Sequence, residues 1–491
     1  MSDIEELQDK RICIGCIGEP FLNAEVEKSG EEAECSYCDE TDKTITIGEL
    51  ADWFEQVFED HYQRSTSEME PWEYAAHNDS ESNYSWTRAG ETAADVVADA
   101  ALIDEDPSND VAEILSERHY DFEDAKAGEE CEFDGEARYV EKGVEDHALQ
   151  ANWKFFQHSL RTEARMFNRA AESALDEIFD GLSSHVTHDG KSIIVEAGPG
   201  KEIAALYRAR VFPPYDPAIE EAISWPNRDI GPPPSKAAKS GRMNARGVSI
   251  FYGATEEAVA VAEVRPPVGS HVGAARFEIV QPLRLLDVEA FRSILVKGSL
   301  FDPSHVRRLE SARFLRRLSD EITMPVMPED EPSDYLVTQA IADYLAGRPD
   351  PVLDGIIYRS IQHGAGGINV ALFHKSSRVK PLDIPKGTKI RATARPWGED
   401  EGSTYMVWEE SPVSNPKKSQ LPPFYDYLTK SASDSEDDMR DAALQFDPLS
   451  MRIHHVTGVS FITEVHNVTR HRKERMSLAV EGDDFDVDSI L

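Results

Sequence analysis

Four cysteines near the amino terminus restrict this chain more tightly than any other feature. Cys13 and Cys16 form one CxxC pair, Cys35 and Cys38 form a second, and eighteen residues separate the two. Each pair presents two thiolates to one tetrahedral ion, and the turn signals Gly18-Glu19-Pro20 and Ser29-Gly30 let the intervening chain fold back. The spacing predicts a structural zinc (Zn2+) held by Cys13, Cys16, Cys35 and Cys38. Four sulfurs close the coordination sphere, so such an ion fixes a fold and does not activate water. Four ordinary thiols are the plainer alternative. Redox chemistry is the weaker rival, because neither pair sits in a thioredoxin-like strand-to-helix setting. Cys131 is left over as an ordinary thiol, and the paired arrangement fits a reducing compartment better than a disulfide scaffold.

With 491 residues the chain is long enough for more than one core. Its 92 acidic residues outnumber 51 basic ones, giving a formal charge of -41, while a hydrophobic fraction of 40% supports folded domains joined by acidic, solvated segments. Nucleic acid and anionic membranes are disfavoured as partners, since each requires a cationic surface. The acidity is also compatible with a salty habitat, where self-repulsion is screened. Residues 1–11 lack the basic and apolar regions of a secretion signal, and no uncharged apolar run approaches the ~18 residues of a membrane span. A cytoplasmic protein is predicted.

The architecture read from the sequence is α+β and multidomain. A zinc-binding segment covers 1–43, a helical domain 44–190, a mixed α/β domain 200–385, and a C-terminal extension with an acidic linker and tail 386–491. Residues 44–64 place Ile47, Leu50, Phe54 and Phe58 on one helical face. Shorter helices are predicted over 93–103 and 111–115, separated by the acidic stretch 104–110. Between Gly143 and Gly181, one long helix or a broken pair fits Trp153, Phe156, Leu160, Phe167, Leu175 and Ile178. Short apolar or alternating runs over 202–211, 247–252, 274–280, 283–288, 355–358 and 368–374 read as strands, with helices over 255–264 and 335–345. Strand-like pieces such as 405–408 continue to about 419, residues 431–441 read as a linker, and a last strand pair is expected over 454–465. The basic patch His471-Arg472-Lys473 and an acidic tail follow.

The densest chemistry lies in Gly241-Arg242-Met243-Asn244-Ala245-Arg246-Gly247 and the strand that follows it. A loop carrying two guanidinium groups in so acidic a chain suggests an anionic ligand. That strand delivers Tyr252, Thr255 can cap the next helix, and the helix ends near Glu263 before Arg265-Pro266-Pro267. A carboxylate after the apolar run 258–262 is costly unless paired or functional, so Glu263 is either paired with Arg265 or part of a site. Arg208 is equally an ion-pair residue or a ligand contact, Arg246 faces solvent, and Tyr252 is either a core aromatic or a stacking platform. His363 and His374 lie nearby and are more often structural than catalytic in such settings.

The ordered set Tyr207-Arg208-Ala209-Arg210, Gly241-Arg242-Met243-Asn244, 247–252 and Ala260-Val261-Ala262-Glu263-Val264 resembles the RES domain. Its downstream elements, Asp354-Gly355-Ile356-Ile357-Tyr358-Arg359-Ser360 and Gly366-Gly367-Ile368-Asn369-Val370-Ala371-Leu372-Phe373, follow in order, so the resemblance covers about residues 200–385. Met243 stands where the family commonly has an aromatic. The resemblance implies a fold related to ADP-ribosyltransferases and an NAD+-cleaving toxin, a glycohydrolase or phosphorylase. Transfer of ADP-ribose to a protein, or an inactive binding protein, are the other possibilities. Glu263, Arg242, Tyr252 and Ser360 are the implied catalytic residues, and Arg208, Arg242, Tyr252 and Ser360 the implied NAD+ contacts. The front of the chain is similar to the HEPN-like domain sometimes fused to RES domains, through its CxxC pairs and the helix bearing Trp153. It lacks the Arg-to-His spacing of HEPN ribonucleases, which implies a regulatory role. An antitoxin or regulatory protein is the implied partner, and a homo-oligomer is compatible with the sequence.

Overall fold

The computed structural model describes residues 2–79, 85–163, 167–214, 216–324, 331–363, 366–395, 404–412, 438–460 and 462–472. At the amino end, β1 (Arg11–Cys13), β2 (Glu31–Glu34) and β3 (Thr41–Thr46) form an antiparallel sheet in the order β1-β3-β2. β3 runs into the helix Ile47–His61, where Thr46 and Glu49 close a reciprocal capping box. Ile47, Leu50, Phe54, Val57 and Phe58 are buried on one face of this helix, as its apolar period dictates. They share a core with Val97 of the helix Ala93–Ala101 and with Ile114 and Leu115 of the helix Glu105–Arg118. The ribbon of β4 (Tyr62–Arg64) and β5 (Tyr139–Glu141) adds Tyr139 to it. The acidic stretch 104–110 does not separate two helices. Glu105 and Asp106 favour the positive end of the second helix and Pro107 is tolerated in its first turn, so the stretch starts that helix.

The broken pair is the form taken after Gly143, as helices His147–Thr162 and Arg169–Ile178, the second capped by Asn168. These helices leave the first core. Trp153, Phe156, Leu175 and Ile178 pack instead with Met243, Leu286, Phe291 and Phe314, so the stretch expected as one helical unit over 44–190 is shared between two cores.

The later strands are β6 (Val186–Thr187), β7 (Ile194–Ala197), β8 (Ala205–Phe212), β9 (Phe251–Ala254), β10 (His271–Ile279), β11 (Leu283–Asp287) and β12 (Ile294–Leu295). They are followed by β13 (Gly355–Arg359), β14 (Ile368–Leu372), the hairpin β15 (Lys389–Arg395) and β16 (Thr404–Glu410), β17 (Leu444–Phe446) and β18 (Arg452–His455). A mixed sheet of 9 strands has the order β17-β10-β8-β9-β14-β13-β11-β7, with β18 also on β10 and with β11 and β13 parallel. Successive residues point to opposite faces. Ile356 and Ala371 enter the core that holds Trp153, whereas Ile357, Val370 and Leu372 enter another that includes Ile219 of the helix Ala218–Ser224. Burial on both faces makes such strands nearly continuous apolar runs.

The helix His305–Thr323 was not foreseen, although Glu331–Gly347 was, over a shorter span. Arg307, Arg308, Arg313, Arg316 and Arg317 dilute its apolar stripe, which survives at Ala312, Leu315, Leu318 and Ile322. Its preceding segment joins the two units, with Phe301 edge-on against Phe54 at 5.1 Å. The strand expected over 247–252 begins only at Phe251. Upstream of it, Asn244 Nδ2 holds a loop by donating to the carbonyls of Lys239, Ala245 and Val248. Of the pair expected over 454–465, the described residues form only the end of β18, docked on β10, because register is set by the partner and not by local pattern. Of the linker expected over 431–441, residues 431–437 lie outside the described residues, and Asp438 is fixed by Arg440 at 2.6 Å. Lys473 and the acidic tail also lie outside. Among the described residues no helix is long and apolar enough to cross a membrane.

Candidate functional site

A cleft of about 440 Å³ opens beside β8 and β9, lined by Arg208, Arg242, Tyr252, Glu263, Tyr358 and Asn369 among others. Glu263 ends the seven-residue helix Glu257–Glu263, whose Val259 and Ala260 pack with Ala209, Val272 and Ala274 of β8 and β10. Glu256, and not Thr255, occupies the N-cap position. Glu263 is not paired with Arg265. Its Oε1 accepts from Ser360 Oγ at 2.5 Å and from Asn369 Nδ2 at 2.8 Å. Both donors are buried. Their convergence on one oxygen fixes the carboxylate and leaves Oε2 with its acceptor capacity.

Tyr252 is held from two sides: its hydroxyl donates to Asn244 Oδ1 at 2.8 Å and accepts from the Met243 N–H at 2.9 Å. Burial pushes this phenol well above its ordinary pKa, so it stays a donor at neutral pH. Gly241 is required by close approach, because a β-carbon there would lie 2.7 Å from that hydroxyl. Arg242, in the same loop, donates from Nη1 to the Ile322 carbonyl at 2.5 Å, at the negative end of the helix His305–Thr323. Its guanidinium also lies 5.8 Å from the centre of the Tyr335 ring.

Arg208 Nε and Nη1 donate to the carbonyls of Ile230 and Tyr252, at 2.9 and 2.7 Å. Among the described residues it has no carboxylate partner, and burial pushes it down to about 10, still charged at neutral pH. Tyr358 is raised above the ordinary tyrosine value, first by burial and then by the nearby Tyr252 and Glu263.

The sequence-derived residues Arg208, Arg242, Tyr252 and Glu263 thus share one cleft, and Ser360 stands behind Glu263. Arg246 is exposed and away from it. His374 Nδ1 contacts the Ser249 carbonyl at 2.8 Å, and the His363 backbone N–H donates to Ser360 Oγ at 3.3 Å. Asn244, Tyr358 and Asn369 stand within the motifs of the sequence without an assigned role, and Tyr335 has none either. For the asparagines a signal existed, since a buried amide in an apolar strand or glycine-framed loop demands partners. For the tyrosines none separates site from core. A cleft of about 460 Å³ elsewhere is lined by Ile223, Leu382, Val407 and Phe446 together with Lys380, Asp383 and Glu409, one cation against two carboxylates.

A candidate metal centre lies in the amino-terminal unit. The sulfurs of Cys13, Cys16, Cys35 and Cys38 all lie within 4.8 Å of one another, with Cys13–Cys38 at 3.6 Å and Cys16–Cys35 at 3.9 Å. A tetrahedron with Zn–S legs of about 2.3 Å has edges of about 3.8 Å, so the four residues fit a zinc ion. When bound, it would cross-link β1 to the turn after β2. Cys131 stands apart and buried, its Sγ donating to the Asp121 carbonyl at 3.4 Å.

A family model, the RES domain, matches residues 206–393, a span containing every lining residue of the first cleft. Comparison with curated proteins finds no match.

Proposed function

We propose that the cleft binds NAD+ and breaks the bond between nicotinamide and ribose. A RES domain is consistent with an NAD+-related, toxin–antitoxin-associated role. The observation that carries the reading is Glu263, one carboxylate oxygen held by Ser360 and Asn369 and the other left to meet a ligand. Departure of nicotinamide builds positive charge on the ribose, and a preorganised carboxylate stabilises that charge or orients a ribose hydroxyl. Nicotinamide leaves as a neutral amine, so one carboxylate suffices where hydrolysis of an ordinary glycoside uses two.

Arg208 and Arg242, anchored on backbone carbonyls, would hold the pyrophosphate with their remaining N–H groups. The hydroxyl of Tyr252 is engaged inside the fold, which leaves its ring as the surface for nicotinamide. Ser360, bonded to Glu263, acts as a positioning residue. Among the described residues the amino-terminal unit lines none of the cleft, and a regulatory or partner-binding role for it, with a structural zinc in its cysteine cluster, completes the reading.

Incubating the purified protein with NAD+ and measuring free nicotinamide tests this. Glu263→Gln is expected to slow release by about 10²-fold or more. No release by the native protein, or release indifferent to Glu263→Gln, would end the proposal. Chromatography of products with and without phosphate identifies water, phosphate or protein as the acceptor.

A further inference from the structure

We infer that the cleft is built for a nicotinamide dinucleotide bearing an additional phosphate monoester on its ribose, as in NADP+, and prefers it to NAD+. The inference rests on the reading of the cleft as a nicotinamide-dinucleotide site, and its warrant is charge. Among the described residues four guanidinium groups line the cleft, those of Arg208, Arg242, Arg265 and Arg359, against the single carboxylate of Glu263. That excess of cations occurs in a chain whose formal charge is -41.

The four arginines divide into two tiers. Arg208 and Arg242 are partly buried and already bonded to backbone carbonyls, and together they match the two charges of a pyrophosphate. Arg265 and Arg359 are exposed at the rim. Among the described residues Arg265 has no carboxylate partner. The nearest to Arg359 is Glu289 at 4.0 Å, which also lies 3.6 Å from Arg292. The rim therefore offers two planar, permanently charged forks with N–H groups to spare, the geometry that binds a phosphate monoester of about -1.5 to -2 charge. NAD+ carries nothing to match them once its pyrophosphate is held below.

The backbone supplies a second observation. Arg265 has φ of 45°, in the left-handed region, directly before Pro266 and two residues after Glu263. A non-glycine residue there costs about 1–3 kcal/mol and persists where the surroundings impose it, most often beside a functional site. The turn is held by the Arg265 N–H on the Ala262 carbonyl at 3.0 Å, which sets this guanidinium at the lip of the cleft.

The phosphate could equally arrive free, as inorganic phosphate, and the test separates the two sources. Affinities for NADP+, NAD+ and inorganic phosphate are measured by calorimetry on the full chain, alongside nicotinamide release from both dinucleotides. The native protein is expected to favour NADP+ at least tenfold, and Arg265→Ala with Arg359→Ala to bring the ratio near one, with Arg265→Lys and Arg359→Lys retaining part of it. Equal affinities in the native protein overturn the inference. So does a ratio unmoved by the double substitution, or a double substitution that alters inorganic phosphate binding alone. Calorimetry reads the preference whether or not cleavage occurs, so absence of turnover counts against the proposed reaction and not against this selectivity.

Discussion

Two buried asparagines decide how the reactive-looking side chains are held. Asn369 fixes Glu263 and Asn244 fixes Tyr252. The sequence makes Arg242, Tyr252 and Glu263 conspicuous, whereas the amides that orient them signal only that they need partners once buried, and not which side chains they hold. Ser360 shows the same limit: its place in the motif order was legible, and its bond to Glu263 was not. For Tyr252, replacing the hydroxyl strands two buried partners, Asn244 Oδ1 and the Met243 N–H. Tyr252→Phe is therefore expected to destabilise the protein by about 1–3 kcal/mol in urea denaturation, even though the ring is retained. A loss below about 0.5 kcal/mol would mean that water replaces the hydroxyl at no cost.

At the scale of elements, local signals succeeded where packing agreed with them. The capped, strongly periodic helix Ile47–His61 lies within its expected span, and the strands buried on both faces were recognisable as apolar runs. The helix His305–Thr323 was hidden because its arginines answer to distant groups, such as Asp146, 3.1 Å from Arg317. β18 was misread because its partner, β10, is remote in sequence. The cysteine segment was legible because four ligands at fixed spacing leave few geometries.

Its attachment to the helical core was not. Tyr37, between Cys35 and Cys38, donates to Asp110 Oδ2 at 2.6 Å, and Lys10 reaches the same oxygen at 2.6 Å. The protein is expected to carry one zinc per chain by atomic absorption, and Cys13→Ser to lose it. Structural zinc contributes on the order of 10 kcal/mol to small folds, so the loss should expose residues 11–46 to limited proteolysis. Equal protease resistance in native and Cys13→Ser protein would show that the sheet and helices hold this segment unaided.

For the whole molecule, the two cores meet where Phe301 packs on Phe54 and where His61 faces His305, their ring centres 5.9 Å apart. Among the described residues His61 Nε2 and His305 Nδ1 are buried without a hydrogen-bond partner. Burial lowers both histidines below their ordinary value of about 6.5. Asp60 and Glu141 oppose this at His61 while Lys142 reinforces it, and at His305 His61 and Arg308 reinforce it against Asp302. The sign follows from proton counting. Below about pH 6.5 the unfolded chain binds protons that the folded chain refuses, so stability is complete above that value and is lost as the pH falls beneath it. Most surface carboxylates remain ionised down to about pH 5, so relief of the acidic self-repulsion does not offset the loss in this window. Burial also lowers His185 and His271, which share the effect. The urea midpoint is therefore expected to fall between pH 7.5 and 5.5, and His61→Gln with His305→Gln to reduce that fall. A pH dependence identical in native and doubly substituted protein would place the titrating groups away from the junction.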